Sequence, residues 1–125
     1  MRYCVRPGKK GDYSMDTLEF YRENIYKILK HHADIPYSYG EIESEIVISQ
    51  DRNHYILMIY GWDKDLRIHG CVVDVIIKNG KIWIYRDGIE DGITDDLVAA
   101  GVPKDKIVLA FHHPNVRQYT GYAVA

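Results

Sequence analysis

His31 and His32, His54, His69, and His112 and His113 are the side chains best suited to hold a transition metal, because neutral imidazole nitrogens ligate zinc, copper and iron readily. A site of that kind needs three or four such groups to converge. Their spacing does not arrange this: no two histidines stand four apart on a helix, and neither Cys4 nor Cys71 belongs to a C-x-x-C pair. Adjacent histidines on a strand point to opposite faces, so at most one of each pair could reach a single ion. Structural or surface roles are therefore expected for the histidines, with no metal and no cofactor. The competing reading is a small metal-dependent enzyme built on His69 and His112.

Asp87, Glu90, Asp91, Asp95 and Asp96 form the densest acidic run, which could supply a pair of catalytic carboxylates or a calcium loop. The order of acids and glycine in an EF-hand is absent, and acids that begin a helix are already accounted for by capping and by the helix dipole. No G-x-S-x-G elbow, no cysteine with a basic partner nearby in sequence and no phosphate-cradling glycine loop is present. The reading that follows is a non-enzymatic protein. His112-His113-Pro114-Asn115-Val116-Arg117-Gln118-Tyr119-Thr120-Gly121-Tyr122 is the most distinctive stretch, an irregular segment dense in polar and aromatic groups after an apolar run. Such loops carry binding functions because a rigid scaffold positions them. The alternative is that Arg117 and the tyrosines pin the tail to a sheet.

The elements that must position these groups come from one domain, since 125 residues with 46% hydrophobic and 27% charged content suit a single core. With no apolar run long enough for a signal peptide or a membrane span, and no disulfide framework, a cytoplasmic protein is expected. The net charge of −2 argues against a strongly basic nucleic-acid module, apart from a local excess at Arg2, Arg6, Lys9 and Lys10. The eleven tyrosines fit either a protein interface or the packing of a pleated sheet.

Asp16 to His32 reads as a helix, with Leu18, Tyr21, Ile25, Ile28 and Leu29 on one face and Asp16 with Glu19 as a capping pair. Glu41 to Ser49 alternates as a strand with one wet face, and His54 to Trp62 is apolar enough to predict a strand covered on both sides. Arg67 to Lys78 and Lys81 to Arg86 flank Asn79-Gly80, a type I′ hairpin signal that sets Ile77 opposite Ile82 and Val75 opposite Ile84. A second helix is expected over Glu90 to Ala100, burying Ile93, Leu97 and Ala100, with Asp87 or Gly88 near its cap. Ile107 to Phe111 then forms a last short strand, and the tail is expected to dock through its apolar end. The order predicts an α+β fold in which an antiparallel β-meander packs against an N-terminal helix and a second helix before the last strand.

Taken in order, several groups of residues resemble the XisI-like family of fdxN element excision controlling factors of cyanobacteria, over about Met15 to Ala125. They are Tyr21, Gly40-Glu41 with Glu43, Gly61-Trp62, Arg67-Ile68-His69-Gly70, Gly80-Lys81-Ile82-Trp83-Ile84 and Asp87-Gly88 with Glu90. Further on come Leu97-Val98, Gly101-Val102-Pro103-Lys104, Ile107-Val108-Leu109, Phe111-His112, Pro114, Arg117, Tyr119-Thr120 and Ala123-Val124-Ala125. Asp74, Tyr85, Ile89 and His113 depart from the family pattern, which has histidine, glutamine, threonine and proline there. The same resemblance sets residues 1–14 apart as a basic N-terminal extension and residues 15–125 as one XisI-like domain.

The resemblance implies a part in controlling site-specific excision of a DNA element during heterocyst differentiation, beside a recombinase and an XisH-like partner. It carries over no catalytic residue. On that reading the chain works through protein contacts, with Arg86, His112, Arg117 and Tyr119 as the expected partner-binding surface and a homodimer as the expected assembly. The alternative is direct DNA binding through the N-terminal arm, which predicts affinity falling steeply with salt.

Overall fold

The computed structural model describes residues 13–38 and 40–125. The basic arm expected at Arg2, Arg6, Lys9 and Lys10 lies outside the described residues, as does Cys4. Helix α1 spans Tyr13–Ala33 and buries Tyr21, Ile25 and Leu29, whose four-residue spacing puts them on one stripe, with Leu18 and Ile28 packed beside them. It begins three residues before the expected Asp16. Glu19 does not act as a capping group; its carboxylate pairs with Arg22 at 3.0 Å and Arg52 at 3.1 Å.

Strands β1 (Glu41–Ile48), β2 (His54–Asp63), β3 (Leu66–Lys78) and β4 (Lys81–Asp87) form an antiparallel meander, joined by β5 (Ile107–Leu109) in the order β1-β2-β3-β4-β5. The hairpin register is the one that Asn79-Gly80 demands, with Ile77 opposite Ile82 and Val75 opposite Ile84. Asn79 and Gly80 both take the positive φ of a type I′ turn. β5 runs parallel to β4, because the chain crosses over through α2 (Thr94–Ala99) before it returns to the sheet.

α2 is shorter than expected and begins later. The Asp87 carboxylate at the end of β4 accepts from the Ile93 amide at 2.9 and 3.0 Å and from Thr94 Oγ1 at 3.0 Å, so the helix starts where that carboxylate can cap it. Ile93 and Leu97 are buried as expected, whereas Ala100 is exposed because α2 has already ended.

The core lies between the helices and one face of the sheet, where Tyr55, Leu57, Val73, Val75, Ile77, Ile82 and Ile84 meet α1, with Ile93, Leu97 and Val102 closing the end. Each such side chain contributes about 1.5–3 kcal/mol on burial. β2 is not covered on both sides, contrary to its apolar sequence. His54, Ile56 and Met58 are only half-buried on the sheet face away from the helices, and Trp62 at its end is exposed. Two irregularities modify the sheet: Val72 is unpaired where β3 meets β2, and Tyr85 is unpaired where β4 meets β3. No helix among the described residues is long and apolar enough to cross a membrane.

The turn before β2 is tied to α1 by Arg22, which donates to the Arg52 and Asp51 carbonyls, to Asn53 Oδ1 and to Glu19. We expect Arg22→Ala to lower the urea-unfolding free energy by about 1–2 kcal/mol, since a charge-assisted set of bonds is lost and its acceptors stay in place. The Arg22 guanidinium, followed by Arg52, holds the Glu19 carboxyl below its ordinary value of 4.5 despite some burial. A carboxyl depressed in the folded state binds fewer protons there, so its stabilisation is present above the unfolded value and lost as pH falls through the folded one. Stability should therefore drop on acidification below about pH 4.5, and drop less steeply in Glu19→Gln.

Candidate functional site

The tail after β5 folds back over the sheet face that the helices leave open. Its anchor is Arg117, at the end of a 3-10 turn over Pro114–Tyr119, where the chain can direct one long side chain inward. The guanidinium donates from Nε to the His112 carbonyl at 2.9 Å, from Nη2 to the Ala110 carbonyl at 3.3 Å and from Nη1 to the Val124 carbonyl at 3.5 Å. It also lies over the Trp83 ring, 5.9 Å from its centroid. Ala123 completes the docking by donating its amide to the Ile107 carbonyl at 2.8 Å, which occupies the outer edge of β5.

Trp83 is the centre of this cluster. On one side Lys78 Nζ sits 4.3 Å from its ring centroid and donates to the Tyr85 hydroxyl at 2.8 Å; Tyr85 itself stacks near-parallel to the indole. Trp83 Nε1 is buried and has no hydrogen-bond partner among the described residues. The open face continues across β2 and β1 as a mixed surface. Tyr60 donates to Glu45 at 2.6 Å, His54 pairs with Asp74 at 2.7 Å, and Arg67 lies over the exposed Trp62 ring.

Three of the four expected partner-binding residues share this tail. Arg117 is half-buried and its donors are engaged by the tail itself, which is the pinning role that the sequence left open. His112 is exposed with its ring against Phe111, and Tyr119 is the most exposed large side chain of the cluster, at 79%. Arg86 stands apart at the end of β4, where its Nε donates to the Cys71 carbonyl at 2.7 Å.

Arg86 lines a cavity of about 370 Å³ along the free part of β3, together with Arg67, His69, Cys71 and Ile59. Partial burial pushes the Cys71 thiol above its ordinary range, which keeps it protonated and a poor nucleophile. Arg67, Lys78 and Trp83 were missed as functional candidates by sequence reasoning. The length mismatch between β3 and β4 was a usable signal for the first of them, since a hairpin counted out from Asn79-Gly80 leaves the start of β3 with no partner on that side.

The imidazoles do not converge. His31 and His32 sit edge to face, His32 meets Asp96 at 3.2 Å, His54 meets Asp74, and His113 Nδ1 accepts from the Asn115 amide at 3.1 Å. His69 lies across from Tyr60 on the β2–β3 hairpin, whereas the His112 ring packs against Phe111 in the tail. No group of three or more His, Cys, Asp or Glu side chains placed to hold a metal ion occurs among the described residues. Neither His69 nor His112 belongs to such a group.

The family model described as XisI protein matches residues 15–124. The chain belongs to the XisI family. A solved XisI-like protein from Anabaena variabilis is 37% identical, with a TM-score of 0.78, over 87% of this chain and 99% of that one. The fdxN element excision controlling factor XisI from the same organism is 34% identical, with a TM-score of 0.74 and the same coverage of both chains. No curated protein matches. The α+β architecture is the one this chain shares with the solved XisI-like structures.

Proposed function

We propose that this chain is a non-catalytic controlling factor in the site-specific excision of a DNA element, and that it works by holding protein partners. The tail-capped open sheet face supports this reading. It presents exposed aromatic and cationic side chains on a rigid strand scaffold, with Trp83, Lys78 and Arg117 locked against one another. Surfaces rich in Tyr, Trp and Arg are the ones that supply binding energy in protein interfaces. The similarity to an fdxN element excision controlling factor supplies the process, and an XisH-like protein with its recombinase is the proposed partner set in the cytoplasm of a heterocyst-forming cyanobacterium.

The test is co-purification of the full chain with an XisH-like protein from the same organism. We expect a stable complex that Tyr119→Ala weakens by about tenfold or more while leaving the melting temperature within a degree or two, because Tyr119 is exposed and bears no core load. Arg117→Ala should weaken it further and also release the tail from Trp83. No complex between folded proteins at micromolar concentration, or Tyr119→Ala binding with wild-type affinity, would overturn the proposal and its choice of surface respectively.

A further inference from the structure

β3 is much longer than its partner β4, and the difference leaves part of a strand edge bare. β4 stops at Asp87, the Gly88 amide donates to the Val72 carbonyl at 2.7 Å, and the chain then leaves for α2. Residues 66–71 of β3 pair with β2 on one side and have no strand on the other among the described residues.

The direction of the free backbone groups follows from the register. Asp63, Gly61 and Ile59 of β2, whose backbone groups point toward β3, face Leu66, Ile68 and Gly70. The amides and carbonyls of Arg67, His69 and Cys71 therefore point away from β2, along the bare edge. The Cys71 carbonyl confirms this orientation, since it accepts from Arg86 on the β4 side. The edge borders the cavity of about 370 Å³, whose two flanks differ in chemistry. Ile59, Ile68 and Val72 make the flank on the helix side apolar, and Gly70 leaves space there that no neighbouring atom fills within 4 Å. Arg67 and Arg86 make the other flank cationic, with His69 beside them.

We infer that the bare edge of β3 over Arg67 to Cys71 is a strand-addition site for an extended partner segment of alternating acidic and apolar residues. The inference rests on the reading that this chain acts through protein contacts, and it names the chemistry of what is held. In an added strand, alternate side chains fall on opposite faces, so acids would meet Arg67 and Arg86 while apolar side chains entered the hollow beside Gly70. The cavity lining contains no acidic residue, although the chain as a whole carries 18 against 16 lysines and arginines. That local reversal of sign selects an anionic occupant.

A nucleic acid fits the charge but not the edge. Phosphates only accept hydrogen bonds, which would leave the His69 carbonyl without a donor, whereas a peptide backbone offers both groups. A second copy placed edge to edge would bring its own Arg67 toward Arg86, and like charges there oppose the pairing. The first ten residues of this chain are unsuited as well, because they carry Arg2, Arg6, Lys9 and Lys10 and no acid.

The experiment titrates the full chain with a short blocked peptide of alternating glutamate and valine, followed by fluorescence anisotropy and by backbone amide shifts. Binding should shift the amides of Arg67, His69 and Cys71, and replacing glutamate by lysine should weaken it by about tenfold or more. N-methylation of alternate peptide amides should also abolish it, since that removes the donors but keeps the charge. On the protein, Arg67→Glu with Arg86→Glu should reverse the preference toward the lysine peptide. His69→Pro removes an outward amide that β2 does not use, so it should leave the fold intact and lose the peptide.

Equal binding of the N-methylated peptide, or competition by duplex DNA that tracks charge alone, would overturn strand addition. Concentration-dependent self-association abolished by His69→Pro would assign the edge to a second copy and overturn the partner assignment. A negative peptide titration beside a persisting complex with the XisH-like protein would sink this inference alone. Positive binding without that complex would instead count against the proposed partner.

Discussion

Gly61→Ala is expected to cost more than about 3 kcal/mol of unfolding free energy, a large share of the roughly 5–15 kcal/mol that holds a domain of this size. Gly61 lies in β2 opposite Ile42 with φ at +148, a backbone conformation that L side chains rarely adopt. A Cβ there would overlap the Glu41 carbonyl oxygen and come within 2.9 Å of the Ile42 Cα, and neither backbone atom can move without opening the β1–β2 ladder. Strain and overlap therefore add. Urea denaturation provides the measurement, with Gly80→Ala as its control, because Gly80 also has positive φ but faces open space. The control should lose only about 1 kcal/mol. Equal losses at the two positions would show that conformation, not contact, sets the cost at Gly61.

Ile25→Ala should lower stability by about 2–5 kcal/mol, the range for truncating a fully buried aliphatic side chain with incomplete collapse of the cavity. Ile25 is wholly buried at the middle of the α1 stripe between Tyr21 and Leu29, so its loss weakens the contact between α1 and the sheet at its centre. Tyr26, the next residue, is exposed at 42%, and Tyr26→Ala should change the urea midpoint by no more than the equivalent of about 0.5 kcal/mol. A similar response at both positions would mean that α1 is not held by the stripe its periodicity defines.

The elements themselves were legible because the signals for them are local. The four-residue spacing of Tyr21, Ile25 and Leu29 specified both a helix and its buried face, and Asn79-Gly80 specified a turn whose conformation sets the cross-strand pairs on either side. The reading of Asp87 as a capping residue survived in altered form. Its carboxylate caps α2 from the end of a strand, reaching Ile93 and Thr94 across a turn, so the helix is shorter than its acidic sequence suggested.

The covering of β2 was misread for a physical reason. An apolar run is compatible with burial on both sides, but it is equally compatible with one face in the core and the other half-exposed. The candidate site divided in the same way. Tyr119 and His112 are available on the tail, Arg117 is committed to three carbonyls, and Arg86 belongs to a separate cavity with Arg67 and His69.

What the residues alone determined is the set of elements, the register of one hairpin, the core stripe of α1 and, through the ordered match of scattered residues, membership of the XisI family. Periodicity, turn chemistry and residue order are properties of neighbours along the chain, so they need no knowledge of how distant segments meet. Only the tertiary structure decided that β5 runs parallel to β4, that the tail covers Trp83, and that the start of β3, beside Arg67 and Arg86, has no second strand among the described residues. Each of those depends on which remote groups reach a given carbonyl, ring or strand edge first.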